Sequence, residues 1–225
     1  MTYLRGHWQL FAITVALFLL WNTPIVLPLK LLVVFFHELS HAIVAILTGG
    51  SVESFSVNFQ QGGEVWTRGG SRFLTLTAGY LGSLLIGAGL LLIALRSRMD
   101  RAILSGLGVL MLIVLLLYVR DIPAILICGL TGAALIAASR YLREEFCDLI
   151  LRVIGLASLI YVPYDIFDDT IRRSELRSDA RMLAEEIGGT TMMWGGLWFI
   201  VSLAVIYWCL RHGLGRDSNL YFAKR

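Results

Sequence analysis

Long apolar runs in this chain alternate with short polar clusters, and a bilayer core takes about 20 apolar residues per helix. The pattern therefore predicts membrane-spanning helices at 8–27, 29–48, 73–95, 102–119, 122–139, 146–165 and 192–211. Pro24 and Pro28 interrupt the first two, so the second helix is expected to begin right after Pro28. Gly49-Gly50 ends it, and the period changes from helical to alternating: Phe55, Val57 and Phe59 interleave with Ser54, Ser56 and Asn58. Gln60-Gln61-Gly62-Gly63 then supplies turn chemistry before Glu64-Val65-Trp66-Thr67-Arg68. The fold class is thus an all-α polytopic membrane protein of six to seven transmembrane helices with a small β-hairpin at about 51–70. It forms a single transmembrane domain over 1–225, with an amphipathic linker at about 170–190.

Composition agrees. Of 225 residues 57% are hydrophobic and 16% charged, and mean hydropathy is +0.76, which excludes an ordinary soluble domain and implies a multi-pass integral membrane protein, in the plasma or inner membrane if its source is bacterial. The net charge of +3 comes mostly from arginines beside span ends. They suit anionic headgroups and give no reason to infer a nucleic-acid partner. Cys128, Cys147 and Cys209 show no metal-type spacing and read as reduced and structural. The first apolar run follows Arg5 as in a signal peptide, but Trp21-Asn22-Thr23-Pro24 is a poor cleavage site, so the run is kept as a span. With seven spans and a cytoplasmic N-terminus, 8 Lys/Arg fall inside and 11 of the 19 outside, so the positive-inside rule favours the reverse by a narrow margin.

The chemistry is concentrated at His37-Glu38-Leu39-Ser40-His41, an HExxH pentad within an apolar segment. Positions four apart on a helix differ by about 40° of rotation, so His37 and His41 project from one face and can hold one metal ion. Glu38, on the adjoining face, suits a general base rather than a ligand. Ionisable residues at this depth cost roughly 2.5–3.5 kcal/mol each and mark functional sites.

His7 and His212 lie at opposite ends outside the spans, so a third ligand is expected to be a carboxylate. Asp165 is the first acidic residue met on leaving its span and so the deepest, and Pro163 before it can kink the helix; it is the expected ligand, with Asp168 in reserve. Asp168 and Asp169 share a face with Asp165, so one of them could orient a ligand. Asp179 is an outsider, because helix capping by Ser178 or Asp179 accounts for both residues. The small residues of Ala78-Gly79-Tyr80-Leu81-Gly82-Ser83 suggest close packing against the metal helix. The hairpin, with its Gly-rich turn, is expected to carry little core and to offer an exposed edge to an unwound substrate segment.

Five motifs in order carry a resemblance: His37-Glu38-Leu39-Ser40-His41-Ala42, Gly62-Gly63-Glu64-Val65-Trp66-Thr67-Arg68-Gly69-Gly70, Ala78 to Ser83, Tyr164-Asp165-Ile166-Phe167-Asp168-Asp169, and Ser178-Asp179-Ala180. From Phe36 to Trp198 the chain resembles the site-2 protease group of intramembrane zinc metalloproteases, and more closely its small peptidase-like branch. The resemblance implies Zn2+ held by two histidines and a carboxylate, and hydrolysis of peptide bonds in a membrane-embedded protein or peptide substrate. It also implies a hairpin that presents the substrate. Where better-known members have a Leu-Asp-Gly segment, this chain has Tyr-Asp-Ile-Phe-Asp-Asp, and it has no PDZ-like insertion. Two other readings of the same residues are hydrolysis of a lipid amide and metal binding without catalysis in a protein that holds client helices.

Overall fold

In the computed structural model, which describes residues 3–220 (side chains from Arg5 onward), eight α-helices and one hairpin follow in order. They are α1 Tyr3–Leu20, α2 Leu27–Leu47, β1 Ser51–Val57, β2 Gly63–Arg68, α3 Arg72–Arg96, α4 Asp100–Tyr118, α5 Ile122–Tyr141, α6 Glu144–Phe167, α7 Asp179–Ile187 and α8 Thr191–Gly213. A π-helical turn, Asp168–Arg172, widens the end of α6.

Six of these are long and apolar enough to cross a membrane: α2, α3, α4, α5, α6 with its π-helical turn, and α8. The expected seventh, 8–27, is a shorter helix. It ends at Leu20, where a turn from Trp21 to Val26 containing Pro24 takes over. Pro28 does not precede α2 but sits in its first turn, where its missing N–H has no helical partner to lose. Pro163 is likewise inside α6, and the helix continues past it.

The core runs along α3, α6 and α2. Leu84 and Leu91 of α3, Leu151 and Ile154 of α6, and Phe35 and Phe36 of α2 are all buried. Glycines set the spacing between α3 and α6: a β-carbon on Gly87 would strike the Ser158 side chain, and one on Gly155 would meet the backbone of Gly87.

The hairpin is antiparallel, with Phe55 opposite Val65 and Val57 opposite Gly63, and a bulge between Val52 and Ser54. Asn58 builds its turn by accepting from the Gln60 and Gly62 N–H groups at 3.0 and 3.1 Å, and Gln61 takes a positive φ of 65°. Phe59, expected to continue the inward alternation, is instead in the turn and 47% exposed. The hairpin also carries more core than expected. Phe55 and Val57 are fully buried, and the Phe55 ring lies 5.3 Å from that of Phe35 on α2.

At the far end of the bundle the segment after α8 returns to α1. Ser218 N–H donates to Gly6 C=O at 2.8 Å, and its hydroxyl lies 2.7 Å from His7 Nδ1. Arg152, paired with Asp148, donates to the Ser218 carbonyl.

Candidate metal centre

His37 and His41 occupy one face of α2, and their rings meet edge to face with centroids 4.7 Å apart. Each is steadied differently. His41 Nδ1 lies 2.7 Å from the Thr75 carbonyl of α3; the carbonyl can only accept, so Nδ1 carries the hydrogen and Nε2 keeps its lone pair for a metal. His37 stacks edge-on to the Tyr80 ring at 4.8 Å.

Among the described residues, the His/Cys/Asp/Glu group whose ligand atoms all lie within 4.8 Å of one another is His37, His41 and Asp179. Asp179 Oδ2 is 2.9 Å from His37 Nε2 and 3.2 Å from His41 Nε2. Neither approach has hydrogen-bond geometry, and Oδ2 is buried without a hydrogen-bond partner. Three donor atoms therefore converge on one point, as they do around a shared ion.

The local sequence explains how Asp179 comes free. Ser178 caps α7 by accepting from the Arg181 N–H at 3.3 Å, so the next carboxylate has no capping duty. Ala180 and Leu183 are fully buried and fix α7 in the bundle. Gly79 leaves the room: a β-carbon there would lie 2.5 Å from His37 Nε2 and 2.6 Å from Asp179 Oδ2. Gly82 does the same for the helix pair, where a β-carbon would strike Ser40. These donors and this cradle fit a zinc-sized ion with two nitrogen ligands and one oxygen ligand.

Asp165 is not in that group, in contrast to its expected place as the third ligand. It stands across the cavity, 3.7 Å from the Arg173 guanidinium. The reserve, Asp168, pairs with Arg173 Nε at 2.8 Å and faces Arg172 at 3.5 Å. Asp169 also pairs with Arg173, at 2.8 Å, and accepts from Tyr80 Oη at 2.5 Å. One arginine thus gathers the three carboxylates at the end of α6, whereas the shorter reach to the histidines comes from α7.

Glu38 is buried beside the histidines, and Gly63 at the start of β2 packs against its carboxyl group, where a side chain would collide. A cavity of about 560 Å³ opens here. Its wall includes Glu38, both histidines and Asp179 on one side, β2 from Gly63 to Thr67 on another, and Asp165, Asp169 and Arg173 on a third.

A family model described as Peptidase M50B-like matches residues 10–209. No curated protein and no solved structure matches the chain significantly.

Proposed function

The chain belongs to the Peptidase M50B-like family, the site-2 protease family of intramembrane metalloproteases, and on that premise we propose that it cleaves peptide bonds of membrane-embedded substrates with zinc and the base Glu38. His37, His41 and Asp179 would hold the ion. The observation that carries this reading is the convergence of two Nε2 atoms and one buried carboxylate oxygen beside Glu38.

When bound, zinc polarises a carbonyl and lowers the pKa of water to about 7. The remaining work falls to the chain. His41, fixed through Nδ1 by Thr75, keeps its ligand nitrogen aimed at the centre. Glu38 takes the proton of the attacking water and delivers it to the leaving amine. The β2 side of the hairpin, which lines the cavity, offers backbone groups to a substrate segment unwound from its helix.

A cleavage assay on the purified full-length chain in detergent tests the reading, with a membrane-segment peptide offered before and after chelation. Cleavage is expected to stop on chelation and in Glu38→Gln. Persistence through both would overturn it.

A further inference from the structure

Resting on the metal site just proposed, we propose that Tyr80 is a positioning residue for His37, held in place by Asp169 and Arg173. The two imidazoles are braced unequally. His41 is oriented by a hydrogen bond to Thr75, whereas His37 packs edge to face with the Tyr80 ring, at 4.8 Å and 84°. Besides the metal-facing approaches to Asp179 and His41, His37 leans on that ring, so its placement depends on where the ring is held.

Tyr80 is correspondingly fixed on every side. It is 2% exposed, and Trp198 of α8 packs on it with ring centroids 5.4 Å apart. Its hydroxyl donates to Asp169 Oδ2 at 2.5 Å, and the other oxygen of that carboxylate accepts from Arg173 at 2.8 Å. Arg173 lies between the π-helical turn and the connector that runs to Asp179. It holds Asp168 as well, so one guanidinium anchors both the brace on His37 and the start of the segment that delivers Asp179. Outer partners of metal-binding histidines commonly govern affinity by roughly 10–100-fold, and the arrangement assigns that role to a phenol rather than to the carboxylate or carbonyl usually found.

The test is zinc affinity of the full-length protein in detergent, measured by competition with a chromogenic chelator, together with the visible spectrum of the cobalt-substituted protein. Tyr80→Leu is expected to weaken zinc binding roughly 10–100-fold and to shift the cobalt bands. Tyr80→Phe keeps the ring and loses the anchor, so a smaller loss is expected. In the Tyr80→Phe background Asp169→Asn can no longer act through the phenol hydroxyl, so it is expected to lower zinc affinity less there than in the unaltered protein. Lower thermal stability of Tyr80→Leu with unchanged zinc affinity and cobalt spectrum would overturn the proposal and make the residue packing alone. His37→Ala run beside them separates the two levels: zinc retained there refutes the metal site itself, whereas zinc lost there but unaltered in the Tyr80 variants refutes only the brace.

Discussion

Gly79 and Asp179 share the space beside His37, and a β-carbon on the glycine would sit 2.6 Å from the aspartate Oδ2. The α7 carboxylate can reach the histidines because α3 lacks a single methyl group there. Gly79→Ala is therefore expected to push Asp179 away and weaken zinc binding by roughly 10–100-fold, with the rest of the fold retained. Equilibrium dialysis against zinc measures the loss.

Separate alanine substitutions rank the carboxylates. Asp179→Ala should leave the purified protein without stoichiometric zinc, while Asp165→Ala and Asp168→Ala, both facing Arg173, should keep it. Zinc quantification per chain decides between them, and full occupancy in Asp179→Ala would return the ligand role to the end of α6.

Glu38→Gln should retain zinc and lose cleavage by roughly 10²–10⁴-fold, since general acid–base catalysis contributes on that scale. His37→Ala should lose both. Metal content and turnover, measured on the same preparations, separate base from ligand.

Chelation should also be visible in stability. Returning free zinc at about 100 times its Kd should restore about 2.7 kcal/mol to the native state, by mass action alone. Thermal unfolding in detergent with and without zinc reads this directly, and no shift would argue that the native fold does not bind the ion.

The hairpin's two faces should respond differently. Phe55 is fully buried against Phe35, so Phe55→Ala should cost about 3–5 kcal/mol of stability. Trp66 lines the cavity and is 56% exposed, so Trp66→Ala should change stability by no more than about 0.5 kcal/mol while slowing cleavage. Comparing melting temperature with turnover for the pair checks both halves.

The spans, the HExxH face and the hairpin were legible because each rests on a short-range period that one stretch of sequence carries whole. The approach of Asp179 to the histidines was not, because a Ser-Asp pair at a helix start explains itself locally as a cap. The signal that could have found it was the pairing of Ser178 with Asp179: once the serine caps α7, the aspartate is left without local employment. Asp165 is set apart from the histidines for a related reason. Its position at a span end suggests depth, but Arg173, eight residues on, lies 3.7 Å from it in the folded chain. The burial of Phe55 and Val57 depends on α2 lying beneath them, which alternation alone does not reveal.

The contact between Ser218 and Gly6 has a consequence for sidedness. A polypeptide that crosses a bilayer an odd number of times leaves its two ends in different compartments, and one that crosses an even number of times brings them back together. Ser218 follows α8 by only a few residues and hydrogen-bonds near the start of α1, so the parity is even, as six crossings require and seven forbid. Arg5 then joins Arg96, Arg98, Arg101, Arg140, Arg143, Arg211 and Arg216 on one face, opposite the hairpin and α7. Arg68, Arg72, Arg120, Arg172, Arg173, Arg177 and Arg181 lie on the other face, so the positive-inside rule is nearly balanced between the two, and the mouth of the cavity walled by the hairpin and α7 lies on the side opposite Gly6 and Ser218.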